Sequence, residues 1–452
     1  MKKIYLVMTL ASMVLASSAQ TNPAVSAWLQ NTTIKGRHYV KNNSTPIADA
    51  TLANVQSVKY SADWVYVETQ GIPTYVTGPF LDGNPSVATG QNAIFKISLK
   101  PTQNNGNPTN TSGGNIGIFI NGVALFDYRD GVSWQNSSSS LKGGPLKGMG
   151  DNVWNRDAIV AERVGFDCAK GHPAMGNYHH HQNPSAFKLD QTVISTVCNL
   201  YDADGLYVID STKHSPLIGF TYDGFPIYGA YAYKNVDGTG GIVRMKSSFG
   251  LRSISTRTTY ADGSTVTAGP DVNGTYPLGY FREDYQYNAT SAATPDYLDE
   301  HNGRFCVTPE YPNGIYCYFA TVDAKWNSAY PYVVGPTFYG NKTASKVTTI
   351  SEQVTTYTPT NVGVVSDATN PLEVSVFPNP TSDFIAIQVN DINRENLLVE
   401  LFDMAGKLVK NTQLPAGSTV VYFDTQTIYN GQYIVRVSGT KSISTSKIVL
   451  NK

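Results

Sequence analysis

Apolar and polar positions alternate with a period of two along most of this chain, which predicts a protein built from strands. The alternation starts at Val55–Tyr60. It recurs at Trp64–Glu68, where Trp64, Tyr66 and Glu68 take one face and Val65 and Val67 the other. In Ile94–Leu99, Ile94, Lys96 and Ser98 oppose Phe95, Ile97 and Leu99. The clearest hairpin signal is Ile116–Ile120, an Asn121-Gly122 turn and Val123–Phe126, because Asn-Gly adopts the positive φ a tight turn needs. Leu206–Ile209, Leu217–Tyr222 and Ile227–Tyr233 read as buried strands, the last two separated by Asp223-Gly224 and Pro226. Asp157–Arg163 is the one short segment predicted to be helical in this part of the chain.

Breaks in the pattern suggest the domain plan. Residues 20–54 are polar and irregular, Pro101–Gly114 is a low-complexity loop, and Ser133–Asn152 is a second loose loop rich in Ser and Gly. Dense alternation resumes in Leu372–Lys452 (Val374/Val376, Ile385/Ile387/Val389, Leu398/Glu400/Phe402, Tyr433/Val435/Val437). The expected fold class is therefore mostly β. A large β-rich domain spans 55–344, a Thr/Val/Ser linker 345–371, and a C-terminal antiparallel β-sandwich 372–452. Neither a solenoid repeat nor a heptad pattern is present.

Composition narrows the function classes. Net charge is −1 and 15% of residues are charged, below the roughly 25% of ordinary domains. With no basic run, nucleic acid is not an expected partner. Lys2 and Lys3 precede an apolar run, Ile4–Leu15, and the small residues Ala16–Ala19, so residues 1–19 read as a secretory signal peptide. That run is too short to span a bilayer, and no other stretch reaches the ~20 apolar residues required. The expected location is secreted or at the outer surface, without a transmembrane segment.

Four of the seven histidines fall in Asp167–Pro184, at His172, His179, His180 and His181. In extended chain His179 and His181 share a face and His180 points away. Pro173 and Gly176 lie in a turn that would return His172 to that face as a third ligand. Neutral imidazole is a common ligand for zinc and copper, so a divalent transition metal on His172, His179 and His181 is the sharper reading. The plainer one is a rim of hydrogen-bonded imidazoles. His214 and His301 are further candidate ligands, with nothing in the spacing to choose between them. Asp223 suits a tight turn better than acid catalysis. Asp299 and Glu300 are adjacent, so they diverge in a strand and form no glycosidase pair. Asp202-Ala-Asp204-Gly205 resembles part of a calcium loop, but the matching register puts Leu200 and Ser211 where carboxylates are needed, which excludes an EF-hand.

The four cysteines, Cys168, Cys198, Cys306 and Cys317, are expected as disulfides in an exported chain, with three pairings open on paper. Cys306 and Cys317 flank the turn-rich Pro309–Gly314. A hairpin closing on that loop would set Thr308 opposite Ile315 and the two cysteines opposite each other, leaving Cys168 for Cys198. A Cys168/His172 metal site is the competing arrangement.

Two resemblances follow from these stretches. VFPNPTSD at Val376–Asp383, LFDMAGKLV at Leu401–Val409, GQYIVRV at Gly431–Val437 and the terminal KIVLNK together resemble a type IX secretion sorting domain of type A. That resemblance implies handling by the type IX machinery, export across a Gram-negative outer membrane, removal of the domain, and release or surface attachment. The larger region, roughly Val55 to Pro336, resembles the YHYH protein family. The residues that carry this are WVYV at Trp64–Val67 with GIPTYVTGPF at Gly71–Phe80, GIFINGVALFDYRDG at Gly117–Gly131, DCAKGHPAMGNYHHH at Asp167–His181, LIGFTYDGFPIYG at Leu217–Gly229 and LDEHNGRFCVTPEYPNGIYCYF at Leu298–Phe319. The family's Tyr-His-Tyr-His stands here as Tyr178-His179-His180-His181, so both motif histidines are kept and His180 replaces a tyrosine. The family supplies no settled activity.

Two functions are consistent with these residues. One is an exported metalloprotein holding copper or zinc, in which an open position would admit water for hydrolysis or allow copper redox chemistry. The other is a non-enzymatic module whose tyrosine-rich loops bind a glycan or a surface protein, with a structural His cluster. Whether the chain is an enzyme, and which residues would be catalytic, the sequence leaves open.

Overall fold

The computed structural model describes residues 22–452 apart from 43–44, 82–86, 145, 185–205, 208, 292, 360–371, 373, 390–394, 405 and 440–442. The expected signal peptide, Cys198 and the Asp202–Gly205 segment fall outside the described residues. The chain divides into two compact units, Met1–Thr358 and Pro359–Lys452.

Strands dominate both units. In the first, an eight-stranded sheet runs in spatial order Gly171–Ala174, Asn177–His180, Ala124–Phe126, Asn115–Phe119, Leu217–Thr221, Pro226–Tyr228, Ile315–Phe319 and Gly303–Cys306. Two of its pairings are parallel: His179 and His180 against Ala124 and Leu125, and Ile227 and Tyr228 against Tyr318 and Phe319. A five-stranded sheet is built on Val55–Tyr60, Trp64–Thr69 and Ala93–Ser98. Its inward residues, among them Val55, Val65, Val67, Phe95 and Ile97, share one core with Ile118, Phe119, Phe220 and Ile227 of the larger sheet. Each such side chain stabilises the fold by ~1.5–3 kcal/mol relative to exposure. This core holds the larger sheet in place, and the His hairpin lies at one edge of that sheet.

Several segments are more ordered than their composition suggests. Within residues 20–54, Pro23–Ser26 forms a short helix, while Lys35–His38 and Ile47–Leu52 pair as antiparallel strands. Much of the Ser/Gly-rich loop at Ser133–Asn152 is strand: Arg129–Gln135 pairs with Ser140–Gly143 and Asn155–Asp157 around a small core of Trp134, Trp154 and Phe281. Inside the stretch expected to be linker, Ser345–Val347 pairs with Ala93–Ser98, and Thr355–Thr356 with Val55–Tyr60. Polar side chains fit there because these are the two edge strands, exposed on one side. Ile227–Tyr233 is two strands, Pro226–Tyr228 and Tyr231–Tyr233. Leu206–Ile209 contributes buried Tyr207 and Ile209 without forming a strand among its described residues.

The cysteine expectations are partly overturned. Cys306 and Cys317 are both free and buried. The register sets Cys306 opposite Ile315 and Cys317 opposite Arg304, so the two lie on a diagonal. The cause is that the chain leaves the ladder right after Cys306: the Val307 N–H donates to the Val236 carbonyl, and Thr308 Oγ1 bonds the Tyr228 hydroxyl at 2.8 Å. Cys168 is disulfide-bonded, and its expected partner Cys198 is not among the described residues. A sulfur held in a disulfide is not free to ligate, which removes the Cys168/His172 metal site.

The second unit has a three-stranded sheet (Val374–Phe377, Phe384–Val389, Val420–Asp424) and a four-stranded one (Leu408–Leu414, Leu397–Asp403, Gly431–Ser438, Ile443–Leu450). Their inner faces supply Ile385, Ile387, Leu401, Phe423, Val435 and Ile448 to one core, as a β-sandwich requires. No helix among the described residues is long and apolar enough to cross a membrane.

Candidate metal centre

The hairpin that carries the histidines is set by its turn and by one buried carboxylate. Met175 and Gly176 have φ of 50° and 84°, the positive pair a two-residue turn of the primed type requires. A Cβ at Gly176 would meet Thr89 Oγ1 at 2.1 Å, and the Thr89 N–H holds the Gly176 carbonyl at 2.8 Å. Asp167, fully buried, accepts from the N–H groups of Gly78, Ala169 and Gly171 and from the Tyr178 hydroxyl. The resulting register puts His172 directly opposite His179, and strand alternation adds His181 near the same face.

The rings of His172, His179 and His181 converge. His179 Nε2 lies 3.1 Å from His181 Nε2, and His172 Nε2 lies 3.3 Å from the same atom. Those separations match the edge of about 3.3 Å in a tetrahedron of nitrogens bonded at ~2.0–2.1 Å. All three donor atoms fall within 4.8 Å of one another, the one group of its kind among the described residues. The backbone orients two rings from behind: His179 Nδ1 is 2.8 Å from the Asn177 carbonyl and His181 Nδ1 is 2.6 Å from the Asp127 carbonyl. Donation from Nδ1–H to a carbonyl leaves the Nε2 lone pair facing the cluster. Phe126 stacks on His179 at 3.8 Å, and Phe166 meets His172 edge-on at 4.9 Å.

The alternation argument overlooked Glu162. It ends the short helix Ala158–Glu162, whose N-cap Asp157 accepts from the N–H groups of Ile159 and Val160. Glu162 Oε2 sits 3.3 Å from His172 Nε2 and 3.4 Å from His181 Nε2, again the edge lengths of a tetrahedral vertex. That oxygen is buried and has no hydrogen-bond partner. An orphaned carboxylate oxygen facing imidazole nitrogens is costly unless a proton or a cation lies between them. Its one sequence signal was being the sole acid after the cap on the predicted helix.

Electrostatics fit the same picture. Burial, partly offset by Glu162, holds His172 down to about 4, and burial with the adjacent rings also holds His179 well below the usual imidazole range. Burial opposes protonation of His181 too, but Glu162 and the Asp127 carbonyl outweigh it and push that ring up. For Glu162 the imidazoles win over burial and hold the carboxyl below its usual range. The cluster therefore presents neutral imidazoles and a carboxylate, with His181 the one ring able to take a proton.

The remaining histidines lie elsewhere. His180 points to the opposite face, with Nε2 2.8 Å from the Tyr75 hydroxyl and its ring between Phe119 and Tyr178. Burial keeps it neutral, down to about 3. His214 contacts the Ser215 carbonyl through Nδ1 and packs on Tyr228 and Tyr233. His301 bonds Thr337, with Glu300 3.9 Å away. Neither joins the cluster. Asp223 is a buried structural acceptor for the Tyr318 hydroxyl and the Gly340 N–H. Asp299 likewise accepts from the Gly303 N–H and the Tyr316 hydroxyl.

Together, fold and site define a mostly β protein with a buried three-histidine cluster on a sheet-edge hairpin, followed by a separate β-sandwich. The family described as YHYH protein matches residues 94–331, just over half of the chain, and the chain belongs to that family. A secretion system C-terminal sorting domain matches residues 375–451, marking a secreted or cell-surface protein handled by the type IX machinery. No curated protein matches the chain. Among solved structures, a DUF3244 family protein with an immunoglobulin-like β-sandwich fold from Bacteroides vulgatus matches at 17% identity over 17% of this chain and 94% of its own, with a TM-score of 0.15. That likeness carries no argument.

Proposed function

We propose that this exported protein binds a divalent transition metal, zinc or copper, through Nε2 of His172, His179 and His181, with the Glu162 carboxylate as the fourth donor. The observation that carries the reading is the orphaned Glu162 oxygen, placed at tetrahedral edge distance from two imidazoles that themselves lie close to a third. Three imidazoles and one carboxylate, without thiolate, suit borderline ions better than magnesium or calcium.

A bound ion of this kind supplies Lewis acidity and lowers the pKa of a coordinated water. Glu162 is the most solvent-accessible of the four donors, at 22% side-chain exposure against 8% for His172 and 2% for His181. Its swing away from the cluster would open a position to water and leave a carboxylate beside it to accept a proton. The Asn177 and Asp127 carbonyls hold two of the remaining ligands fixed during that exchange. A coordination position opened in this way would support hydrolytic use of the site. The non-enzymatic reading, in which the cluster is structural, predicts no exchangeable coordination position.

Elemental analysis of protein purified by export tests the assignment. About one equivalent of zinc or copper is expected, lost in His172→Ala, His179→Ala and His181→Ala and retained in His180→Tyr. Glu162→Gln should weaken affinity without abolishing it, since three imidazoles remain. Metal-free wild-type protein that takes up neither ion would overturn the proposal, as would equal loss in His180→Tyr.

A further inference from the structure

On the first unit, two clefts that no histidine lines lie side by side. One, of about 360 Å³, is lined by Arg129, Arg282, Glu283 and Tyr260 among others, and the second, of about 430 Å³, by Arg244, Lys246, Tyr297 and Asp323. Phe249, Tyr285 and Tyr330 line both, so the two clefts adjoin on either side of a common aromatic wall and together offer a composite groove to an extended ligand. Tyr285 and Tyr330 are stacked face to face, 3.8 Å apart and 3° from parallel. Each half has the size of a small-molecule site.

The charges along the groove are unevenly satisfied. Arg129 is engaged with Asp127 and the Thr111 carbonyl. Arg282 makes no guanidinium hydrogen bond among the described residues: its nearest carboxylate is Glu283, 3.5 Å from Nε, and its planar group lies over the Tyr128 ring. Its side chain is only 14% exposed. A guanidinium so far removed from water, with donors unmet, favours an anionic acceptor. In the other half, Arg244 spends one N–H on the Val322 carbonyl, and Lys246 pairs with Asp296 while lying 5.1 Å from the Tyr297 ring. Arg129 and Lys246 are thus already paired with Asp127 and Asp296, which leaves Arg282 and Arg244 as the guanidinium groups facing the clefts with unmet donors among the described residues.

We infer that this groove binds an acidic saccharide chain, with anionic groups on Arg282 and Arg244 and sugar rings against the exposed Tyr297 and the half-buried Phe249 and Tyr285. Aromatic faces offer flat, amphipathic contact to the C–H faces of sugars, and guanidinium forks pair with carboxylate or sulfate in two-point geometry. A saccharide suits the site better than a nucleic acid because its ring hydroxyls can donate to Glu283 and Asp323, whereas a phosphodiester backbone offers those two acids no donor. The inference rests on the groove alone and is independent of the metal proposal.

The test titrates the full chain with oligogalacturonate (a carboxylate on each ring), a sulfated chondroitin oligomer, neutral dextran of matched length and single-stranded oligo-dT. Binding to at least one acidic saccharide is expected, ten-fold or more tighter than to dextran. It should weaken about ten-fold in Arg282→Gln and in Arg244→Gln, with unchanged melting temperature and circular dichroism. The preferred arm identifies carboxylate or sulfate as the recognised group. Failure of both acidic oligomers to bind would overturn the inference. So would equal binding of dextran, oligo-dT binding as tight as the better acidic saccharide, or insensitivity to both folded arginine variants. Should either arginine variant melt lower, Arg282→Lys or Arg244→Lys replaces it: the charge is kept and the guanidinium fork is lost, so binding should weaken several-fold, and unchanged binding would overturn the two-point recognition.

Discussion

His172 and His181 face the same carboxylate but respond to it in opposite ways, and this gives the metal-free protein a defined pH response. His172 is held down to about 4 in the fold, against 6.5 for a free ring. Below pH ~6.5 the unfolded chain takes up that proton first, so stability falls as pH drops from about 6.5 towards 4, by up to about 3 kcal/mol. His179 acts in the same direction. His181, pushed up, contributes stability that is present below 6.5 and lost as pH rises through its higher folded value, which offsets part of the loss. Buried Asp130, Asp157, Asp167 and Glu283, raised to about 6 or 7, act in the opposite sense over this window, so the His172 contribution is read as a difference between proteins. Between pH 7 and 4.5 the melting temperature of metal-free wild type should fall relative to that of His172→Ala, and a difference that does not change with pH would contradict the burial argument. The free cysteines give a second check at this scale. Both are buried, so a thiol reagent should find Cys306 and Cys317 only after denaturation.

Among the elements, the hairpin was legible from sequence and the helix was legible in part. Strand alternation separates His179 and His181 from His180, and the Gly176 turn is visible as a chain reversal. The role of Glu162 was not visible, because it depends on the three-dimensional return of a helix that is distant from the rings in any periodic pattern. The same limit applies to the Cys306 register: turn composition marks a hairpin but not the point where Val307 leaves the ladder for Val236. In the sandwich, the Leu398/Glu400/Phe402 alternation marks a strand, while the apolar buried face is Leu397, Val399 and Leu401. Two substitutions test the element-level account. Asp157→Ala removes the N-cap and the acceptor of the Tyr332 hydroxyl, so a loss of about 1–2 kcal/mol and weaker metal binding are expected. Gly176→Ala strains a φ of 84° and drives a Cβ into Thr89, so denaturant melts should show a loss of at least about 1 kcal/mol. Metal affinity unchanged in both variants would show that neither element positions the donors.

For the whole molecule, the division after Thr358 separates two truncations that the sequence alone treats as equivalent. A chain ending at Thr358 keeps both edge strands of the five-stranded sheet and the packing of Tyr357 on the core, so its melting transition should match that of the first unit in the full chain. A chain ending at Ala344 lacks them and should melt lower and less cooperatively. Identical melts for the two would place the boundary where composition suggests instead. Either truncation removes the sorting domain and should abolish secretion.

The direct pairing of His172 with His179 has a kinetic meaning as well. If the cluster holds an ion as proposed, its histidines are neighbours in the chain, and an unfolded polypeptide would already chelate that ion weakly through them. The Asp127 carbonyl, 54 residues from His181, arrives only when a distant segment docks, and Glu162 only once its own helix has formed. Part of the binding energy is then shared by both ends of the folding equilibrium, and metal should raise the refolding rate by closing the hairpin early more than it raises the melting temperature.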